Sequence, residues 1–165
     1  EMYNIYLIGL MGSGKTAIGK ILAKKIHRRF VDTDGKIEKE YNLPVAKIFA
    51  NMGEAAFRDI ETEVLRDLSK RKNRVVSTGG GAVLRKENID LMRKSGKVIW
   101  LKRRPELILT GTRIHLRPLL AKDPNKIYDI AIEREPLYEA ACDFVVINEG
   151  DKHKTVADIL KKLRK

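Results

Sequence analysis

Hydrophobic positions along the chain change repeatedly between two spacings. Short apolar runs, partly alternating and rich in β-branched residues, predict five strands; they lie at 3–8, 30–32, 74–78, 98–101 and 144–147. Between them, apolar residues recur every three or four positions, which predicts helices; these lie at 17–26, 36–41, 45–49, 55–68, 86–94, from 105, at 126–134 with Pro136 opening a further turn, and at 155–163. Because strands alternate with helices, we predict an α/β fold in three layers (αβα), with a five-stranded parallel sheet in the middle.

The segment GLMGSGKT, from Gly9 to Thr16, lies between the first predicted strand and the first predicted helix. Glycine backbone at such a turn can curl so that successive N–H groups point inward, and the following helix adds the positive end of its dipole. Lys15 can reach the outer phosphates of a nucleotide, and the Thr16 hydroxyl can bind Mg²⁺. The spacing fits GxxxxGK[ST], so we predict a nucleotide phosphate site rather than a glycine-rich turn without a ligand.

Length and composition limit the class of protein. The 165 residues predict a single domain over 1–165. No apolar run approaches the roughly 18 residues of a membrane span, so we expect a soluble protein without a membrane partner. The chain enters a strand almost at once, which leaves no room for a signal peptide. Cys142 is the one cysteine, as expected of a reducing compartment, so we predict a cytoplasmic location.

The net charge of +12 raises the question of an anionic partner. Most basic residues are dispersed along helices at many phases, which is typical of a solvated surface; the one cluster is the tail at 161–165. Aromatic residues lie mostly inside apolar runs rather than between basic ones, so the pattern of single-strand binding proteins is absent from the sequence. We therefore expect no specific nucleic-acid partner.

Two carboxylates follow the second predicted strand. Asp32 and Asp34 lie two apart, so the period of a strand would aim both toward the edge that carries the phosphate loop. Asp32 suits Mg²⁺, and Asp34 suits accepting a proton from a substrate hydroxyl. The alternative for Asp34 is that it caps the next helix. Gly79-Gly80-Gly81 ends the third strand at the same edge and exposes backbone to which a ligand can come close.

Three arginines are open to two interpretations each. Arg58 and Glu61 are three apart on a predicted helix, either as a guanidinium that a carboxylate orients toward substrate or as a surface ion pair, which is the commoner case. Arg117 and Arg134 have the same alternatives. Arg117 lies in an irregular stretch, 110–125, whose length is uncommon in a compact domain unless it serves as a lid.

Six segments resemble the shikimate kinase family in their order and separations. They are GLMGSGKT, VDTD, FRDIE, STGGG, LRPLL and EREPLY. The resemblance covers almost the whole chain and implies a P-loop fold of the nucleoside-monophosphate-kinase type, with a helical substrate-binding region at about 33–62 and a lid at about 110–125. It implies ATP-dependent, Mg²⁺-assisted phosphorylation of shikimate to 3-phosphoshikimate, in the route to chorismate and the aromatic amino acids. We expect small-molecule substrates only, and a monomer.

The same resemblance implies roles by motif position. ATP would be bound by Gly12, Ser13, Gly14, Lys15, Thr16, Ala17 and Arg117. One Mg²⁺ would be held by Thr16 and Asp32. Shikimate would contact Asp34, Arg58, Gly79, Gly80, Gly81 and Arg134. Lys15, Asp34 and Arg117 would be catalytic, with Asp34 as the base and Arg117 closing onto the phosphates. Such roles suit phosphoryl transfer, which depends on positioning and charge neutralisation.

The chain departs from the family pattern at one place. Members commonly carry an arginine shortly before the pair matching Arg117-Pro118, where this chain has Thr110-Gly111. We therefore expect either that Arg113 contacts the adenine instead or that the adenine is held less tightly. The alternative function is another small-molecule P-loop kinase, for gluconate or a nucleoside monophosphate. Such an enzyme would keep the phosphate loop but would not need Arg58, Arg134 and the three glycines together.

Overall fold

The structure is a computed structural model that describes residues 2–111, 120 and 122–165. Its strands are β1 (Asn4–Ile8), β2 (Arg29–Asp32), β3 (Arg74–Ser77), β4 (Gly96–Lys102) and β5 (Phe144–Ile147). They form one sheet in the order β2-β3-β1-β4-β5, and each neighbouring pair is parallel. Every residue of the central strand β1 is buried, which explains why it reads as an almost continuous apolar run.

The helices cover both faces of this sheet. They are α1 (Lys15–Lys25), α2 (Thr33–Tyr41), α3 (Val45–Met52), α4 (Glu54–Ser69), α5 (Lys86–Ser95), α6 (Pro105–Leu109), α7 (Lys126–Ala141) and α8 (Lys152–Leu163), with a 3₁₀ turn at Ala82–Leu84. Successive β1 residues point to opposite faces: Tyr6 packs in the core with α4, α5 and α7, and Leu7 packs in the core with α1 and α8. The predicted three-layer arrangement is what the structure has.

Two helices begin three residues earlier than the sequence pattern predicted, because aspartates cap them. Asp32 accepts hydrogen bonds from the backbone N–H groups of Asp34 and Gly35, so α2 begins at Thr33 rather than near residue 36. Asp151 accepts from the N–H of His153, so α8 begins at Lys152 rather than at 155. Both caps satisfy N–H groups that a helix leaves unpaired in its first turn.

The predicted break before Pro136 is wrong, because α7 runs through this residue. Proline inside a helix removes one backbone hydrogen bond and crowds the preceding turn. Buried residues on either side, Ala131, Arg134, Tyr138 and Ala141, recur every three or four positions and hold one face of α7 against the rest of the protein. Packing on both sides of Pro136 therefore outweighs its local effect. This continuity fixes Arg134 and Tyr138 on a single rigid element.

Most of the predicted lid lies outside the described residues, which leave out 112–119 and 121. Arg113 and Arg117 fall in that stretch. Leu120 is buried in the same core as Ile108 of α6 and Ile127 of α7. Among the helices that the structure describes, none combines the length and the apolar character of a membrane span.

Candidate active site

The phosphate loop connects the carboxyl end of β1 to the first turn of α1. Gly12 and Gly14 have φ angles of 80° and 98°, in the left-handed region that glycine adopts without strain. A cavity of about 680 Å³ opens here, and Gly12, Gly14, Lys15, Thr16 and Ala17 line it. Ser13 lies behind this lining and is fully buried. The predicted nucleotide residues outside the lid are thus brought to one place.

Lys15 is the first residue of α1 and is itself buried. Its Nζ donates hydrogen bonds to the backbone oxygens of Gly9 and Leu10, at 2.6 and 2.8 Å. These bonds hold the ammonium group across the phosphate loop, at the positive end of the helix dipole. Two sources of positive potential therefore overlap in the larger cavity, which suits a polyphosphate.

The two residues predicted to hold Mg²⁺ are in direct contact. The Thr16 hydroxyl donates to Asp32 Oδ2 at 2.9 Å, and the hydroxyl oxygens of Thr16 and Ser77 are 3.5 Å apart. Asp32 Oδ1 accepts from the N–H of Asp34 at 3.1 Å. One carboxylate thus caps α2 and faces Thr16 at the same time. The alternative that Asp34 is the cap is wrong.

Asp34 lies in the first turn of α2 rather than in the strand, so the strand period invoked for it does not apply. It reaches the same edge of the sheet by another route, because α2 begins immediately after Asp32. Asp34 lines both the larger cavity and a second cavity of about 320 Å³. Met11, Gly79 and Gly80 also line both. The two cavities are therefore adjacent, and Asp34 lies at their boundary.

The surroundings of Asp34 favour its neutral form. The pKa of this carboxyl is raised from 3.8 to about 6, first by burial and then by repulsion from Glu61 and Asp32; Lys15 acts in the opposite direction. Among the described residues, Asp34 Oδ1 has no hydrogen-bond partner. A carboxyl group with a pKa near 6 is ionised at pH 7 yet binds a proton readily, as a general base requires.

Arg58 and Glu61 form a buried pair, so the surface interpretation of this pair is wrong. Arg58 donates to Glu61 Oε1 at 2.9 Å, and their side chains are 11% and 1% exposed. Burial raises the pKa of Glu61, and the neighbouring guanidinium of Arg58 opposes that rise. Arg134 of α7 is also buried and lines the second cavity with Arg58. Two guanidiniums at one cavity suit a planar carboxylate.

The three consecutive glycines lie among these charged groups. A Cβ atom at Gly79 would come within 3.0 Å of Glu61 Oε2 and of Asp34 Oδ1. A Cβ at Gly81 would lie 2.6 Å from Arg58 Cζ, closer than real Cβ atoms approach. The Tyr138 hydroxyl donates to the Gly80 carbonyl at 2.6 Å and fixes this backbone from α7. The missing side chains at these glycines therefore leave room for the charged groups of Asp34, Arg58 and Glu61 as well as for a ligand. A tight turn alone would not require this room.

Several lining residues were not predicted from the sequence. The larger cavity also contains Lys20, Ser77, Thr78 and Lys152, and the second contains Glu38, Phe49 and Phe57. Lys20 follows Thr16 by one helical turn, so helix periodicity could have indicated it. Ser77 and Thr78 directly precede the glycines. Nothing in the local sequence marks Lys152, the first residue of α8. Arg117 lies outside the described residues.

A phosphate loop at the carboxyl edge of a parallel sheet, with a small pocket beside it, defines the class of P-loop kinases. The sequence profile of the family described as shikimate kinase matches residues 11–164. The shikimate kinase of Symbiobacterium thermophilum is 44% identical, over 98% of this chain and 96% of that protein. The chain therefore belongs to the shikimate kinase family, and the resemblance inferred from six segments is confirmed.

Solved structures agree with this assignment. Shikimate kinase from Acinetobacter baumannii in complex with shikimate has a TM-score of 0.93 and 36% identity, over 98% of this chain and 93% of that chain. Shikimate kinase from Aquifex aeolicus has a TM-score of 0.86 and 35% identity, over 98% and 96% of the two chains. The predicted P-loop kinase fold is confirmed.

Proposed function

We propose that this protein transfers a phosphoryl group from ATP to a hydroxyl of shikimate and forms 3-phosphoshikimate. The family assignment supports this reaction. The observation that carries it is the position of Asp34 in the boundary between two cavities. One cavity contains the phosphate loop, and the other contains the buried guanidiniums of Arg58 and Arg134. A triphosphate and a small hydroxy acid bound there would meet at Asp34.

The larger cavity suits ATP with one Mg²⁺. Thr16 and Asp32 would hold the ion, because their side-chain oxygens already lie 2.9 Å apart at the cavity edge. Among the described residues, no group of three or more His, Cys, Asp or Glu side chains could hold a metal. Two protein oxygens fit Mg²⁺, which keeps several waters and binds phosphate oxygens. The ion would neutralise charge on the phosphates, and Lys15 would do the same from the loop.

The second cavity suits the acceptor. Arg58 and Arg134 would bind the carboxylate of shikimate through paired N–H groups, and Glu61 would hold Arg58 in place through its 2.9 Å bond. Asp34 would accept the proton of the attacking hydroxyl. Arg117 would contact the phosphates, as the resemblance of the segment LRPLL to the family's lid motif implies. These roles require positioning and charge rather than covalent catalysis.

An assay of ADP release tests the proposal. We expect ATP consumption to rise strongly with shikimate and to stay at the ATP-only rate with gluconate, AMP or nucleic acid. Phosphorus NMR should show one new phosphate monoester on the shikimate ring. Absence of stimulation by shikimate would refute the proposed reaction, and stimulation by gluconate or AMP instead would establish the alternative. A cytoplasmic location and a monomeric state stay predictions.

A further inference from the structure

Asn148 directly follows β5 and lies behind the phosphate loop, with 5% of its surface exposed. We propose that Asn148 is a positioning residue for nucleotide binding: it holds the Ser13-Gly14 peptide so that the Gly14 N–H faces the phosphates. This proposal rests on the proposed function only in placing a nucleotide in the larger cavity. It does not depend on the identity of the acceptor.

The side chain of Asn148 connects two elements through well-defined bonds. Its Nδ2 donates to the Ser13 carbonyl oxygen at 2.8 Å, and its Oδ1 accepts from the Thr155 hydroxyl of α8 at 3.0 Å. A carbonyl oxygen can only accept, so the amide nitrogen must be the group that faces Ser13. Ser13 and Thr155 are both buried, and buried hydrogen bonds of this kind are costly to break.

The backbone of Asn148 is fixed independently of the phosphate loop. Its N–H donates to the Lys102 carbonyl at 2.8 Å, and its own carbonyl accepts from the Arg103 guanidinium at 2.8 Å. Both partners lie at or just after the end of β4. Asn148 is therefore anchored to the sheet on one side and to α8 on the other. The Ser13 carbonyl of the phosphate loop therefore accepts its hydrogen bond from a side chain whose position is fixed.

The geometry of a peptide unit converts this bond into an orientation. In a planar trans peptide, the carbonyl oxygen and the following N–H point in opposite directions. Because Asn148 holds the Ser13 oxygen, the Gly14 N–H is directed away from Asn148. Gly14 lines the larger cavity, and a Cβ there would collide with the Asn148 amide. The bond thus directs one N–H of the loop toward the cavity, where a phosphate oxygen can accept it.

The substitution Asn148→Asp tests this role, because it keeps the size of the side chain but removes the donor to Ser13. It also adds a negative charge near the phosphates, which the uncharged Thr155 variants described below avoid. Calorimetry with Mg·ADP, without shikimate, should show affinity reduced about tenfold, the scale of one lost hydrogen bond and a displaced N–H. In steady state, the KM for ATP should rise while the KM for shikimate changes little. A merely structural role would not separate the two KM values.

Asn4→Asp is the matched control. Asn4 is the first residue of β1 and is fully buried at the amino end of this strand, away from the phosphate loop. Its Nδ2 donates to the carbonyls of Leu68 and Arg71 at 3.0 and 2.8 Å. Both variants should lower the melting temperature, but the control should bind Mg·ADP as the wild type does. Unchanged affinity in Asn148→Asp, or an equal loss in Asn4→Asp, would overturn the proposal.

Thr155 provides a second test that adds no charge near the phosphates and that also applies if Asn148→Asp does not fold. Thr155→Val removes the hydroxyl that holds Oδ1 and should weaken Mg·ADP binding, whereas Thr155→Ser keeps the hydroxyl and should retain it. Wild-type affinity in Thr155→Val would then refute the positioning role. Failure of the wild type to phosphorylate shikimate would refute the proposed reaction alone, because the ADP measurements do not involve the acceptor.

Discussion

Replacing Asp34 by asparagine is expected to stabilise the fold and to remove activity. The pKa of this carboxyl is raised from 3.8 to about 6, chiefly by burial. A difference of about 2 pKa units between the folded and the unfolded chain corresponds to about 3 kcal/mol. Because Asp34 borders two open cavities, solvent screens part of this electrostatic cost. We therefore expect the free energy of unfolding of Asp34→Asn to exceed that of the wild type by about 1 to 2 kcal/mol at pH 7.

The pH dependence of this gain follows from the direction of the shift. Below about pH 4 the carboxyl is protonated in both states, so wild type and Asp34→Asn should be equally stable. Between about pH 4 and 6 the unfolded chain ionises while the folded chain keeps the proton, so the wild type loses stability. Above about pH 6 both states are ionised and the gap is constant. Urea unfolding of both proteins measures the difference in their free energies of unfolding. Roughly, pH 4.5 and 5.5 sample the transition and pH 7.5 samples the plateau above it.

Activity and a control complete the test. Loss of the base should lower kcat by about 10² to 10⁴ while ATP still binds. Asp90→Asn, at an exposed aspartate of α5 outside both cavities, should change stability by less than about 0.5 kcal/mol. The environment assigned to Asp34 is refuted if Asp34→Asn is no more stable than the wild type at pH 7.5, or if its gain is the same at all three pH values.

Four further substitutions address neighbouring groups. Lys15→Ala should lower kcat/KM at least about 100-fold in the ADP-release assay, and near-normal turnover would remove Lys15 from the phosphate chemistry. Arg58→Ala should raise the KM for shikimate about 30-fold or more with little change for ATP; equal effects on both would indicate a structural role. Gly81→Ala should also raise the KM for shikimate, because its Cβ would lie 2.6 Å from Arg58 Cζ; an unchanged value would contradict this. Glu61→Gln removes a repulsion that raises the pKa of Asp34, so the acidic limb of the kcat/KM profile should move to lower pH, whereas an upward move would contradict the assignment.

The fold was predictable because its signals are local. A parallel strand buried on both faces needs apolar residues throughout, and a covering helix needs them every three or four positions. β1 and α4 show these patterns directly. The exceptions are two helix ends and the interior of α7, which runs through Pro136. Caps at Asp32 and Asp151 extended α2 and α8 beyond their apolar stripes, since a cap satisfies backbone groups without adding a hydrophobic position.

The site was predictable where residues that are adjacent in the chain bind the same ligand. Lys15 and Thr16 act with the glycines beside them, so spacing alone indicated a phosphate site. Arg58 and Glu61 have the spacing of countless surface pairs, and nothing in the helix itself distinguishes them. The burial of Arg58 depends on Gly81, because any larger residue would place a Cβ 2.6 Å from Arg58 Cζ and displace the guanidinium. The burial of Glu61 depends on Gly79 in the same way, since a Cβ there would lie 2.8 Å from Glu61 Oε2. The resemblance to a family, rather than periodicity, indicated the importance of Arg58.

Asn148 shows why distant contacts escape such reasoning. Asparagine after a strand is a common turn residue, and its sequence context contains no further signal. Its functional meaning comes from a bond to Ser13 across 135 positions of the chain, and that bond requires β5 and β1 to lie in one sheet with β4 between them. Strand order is a global property. The phosphate loop itself is recognisable from its sequence motif. A residue that orients this loop from behind can be recognised only once the strand order is known.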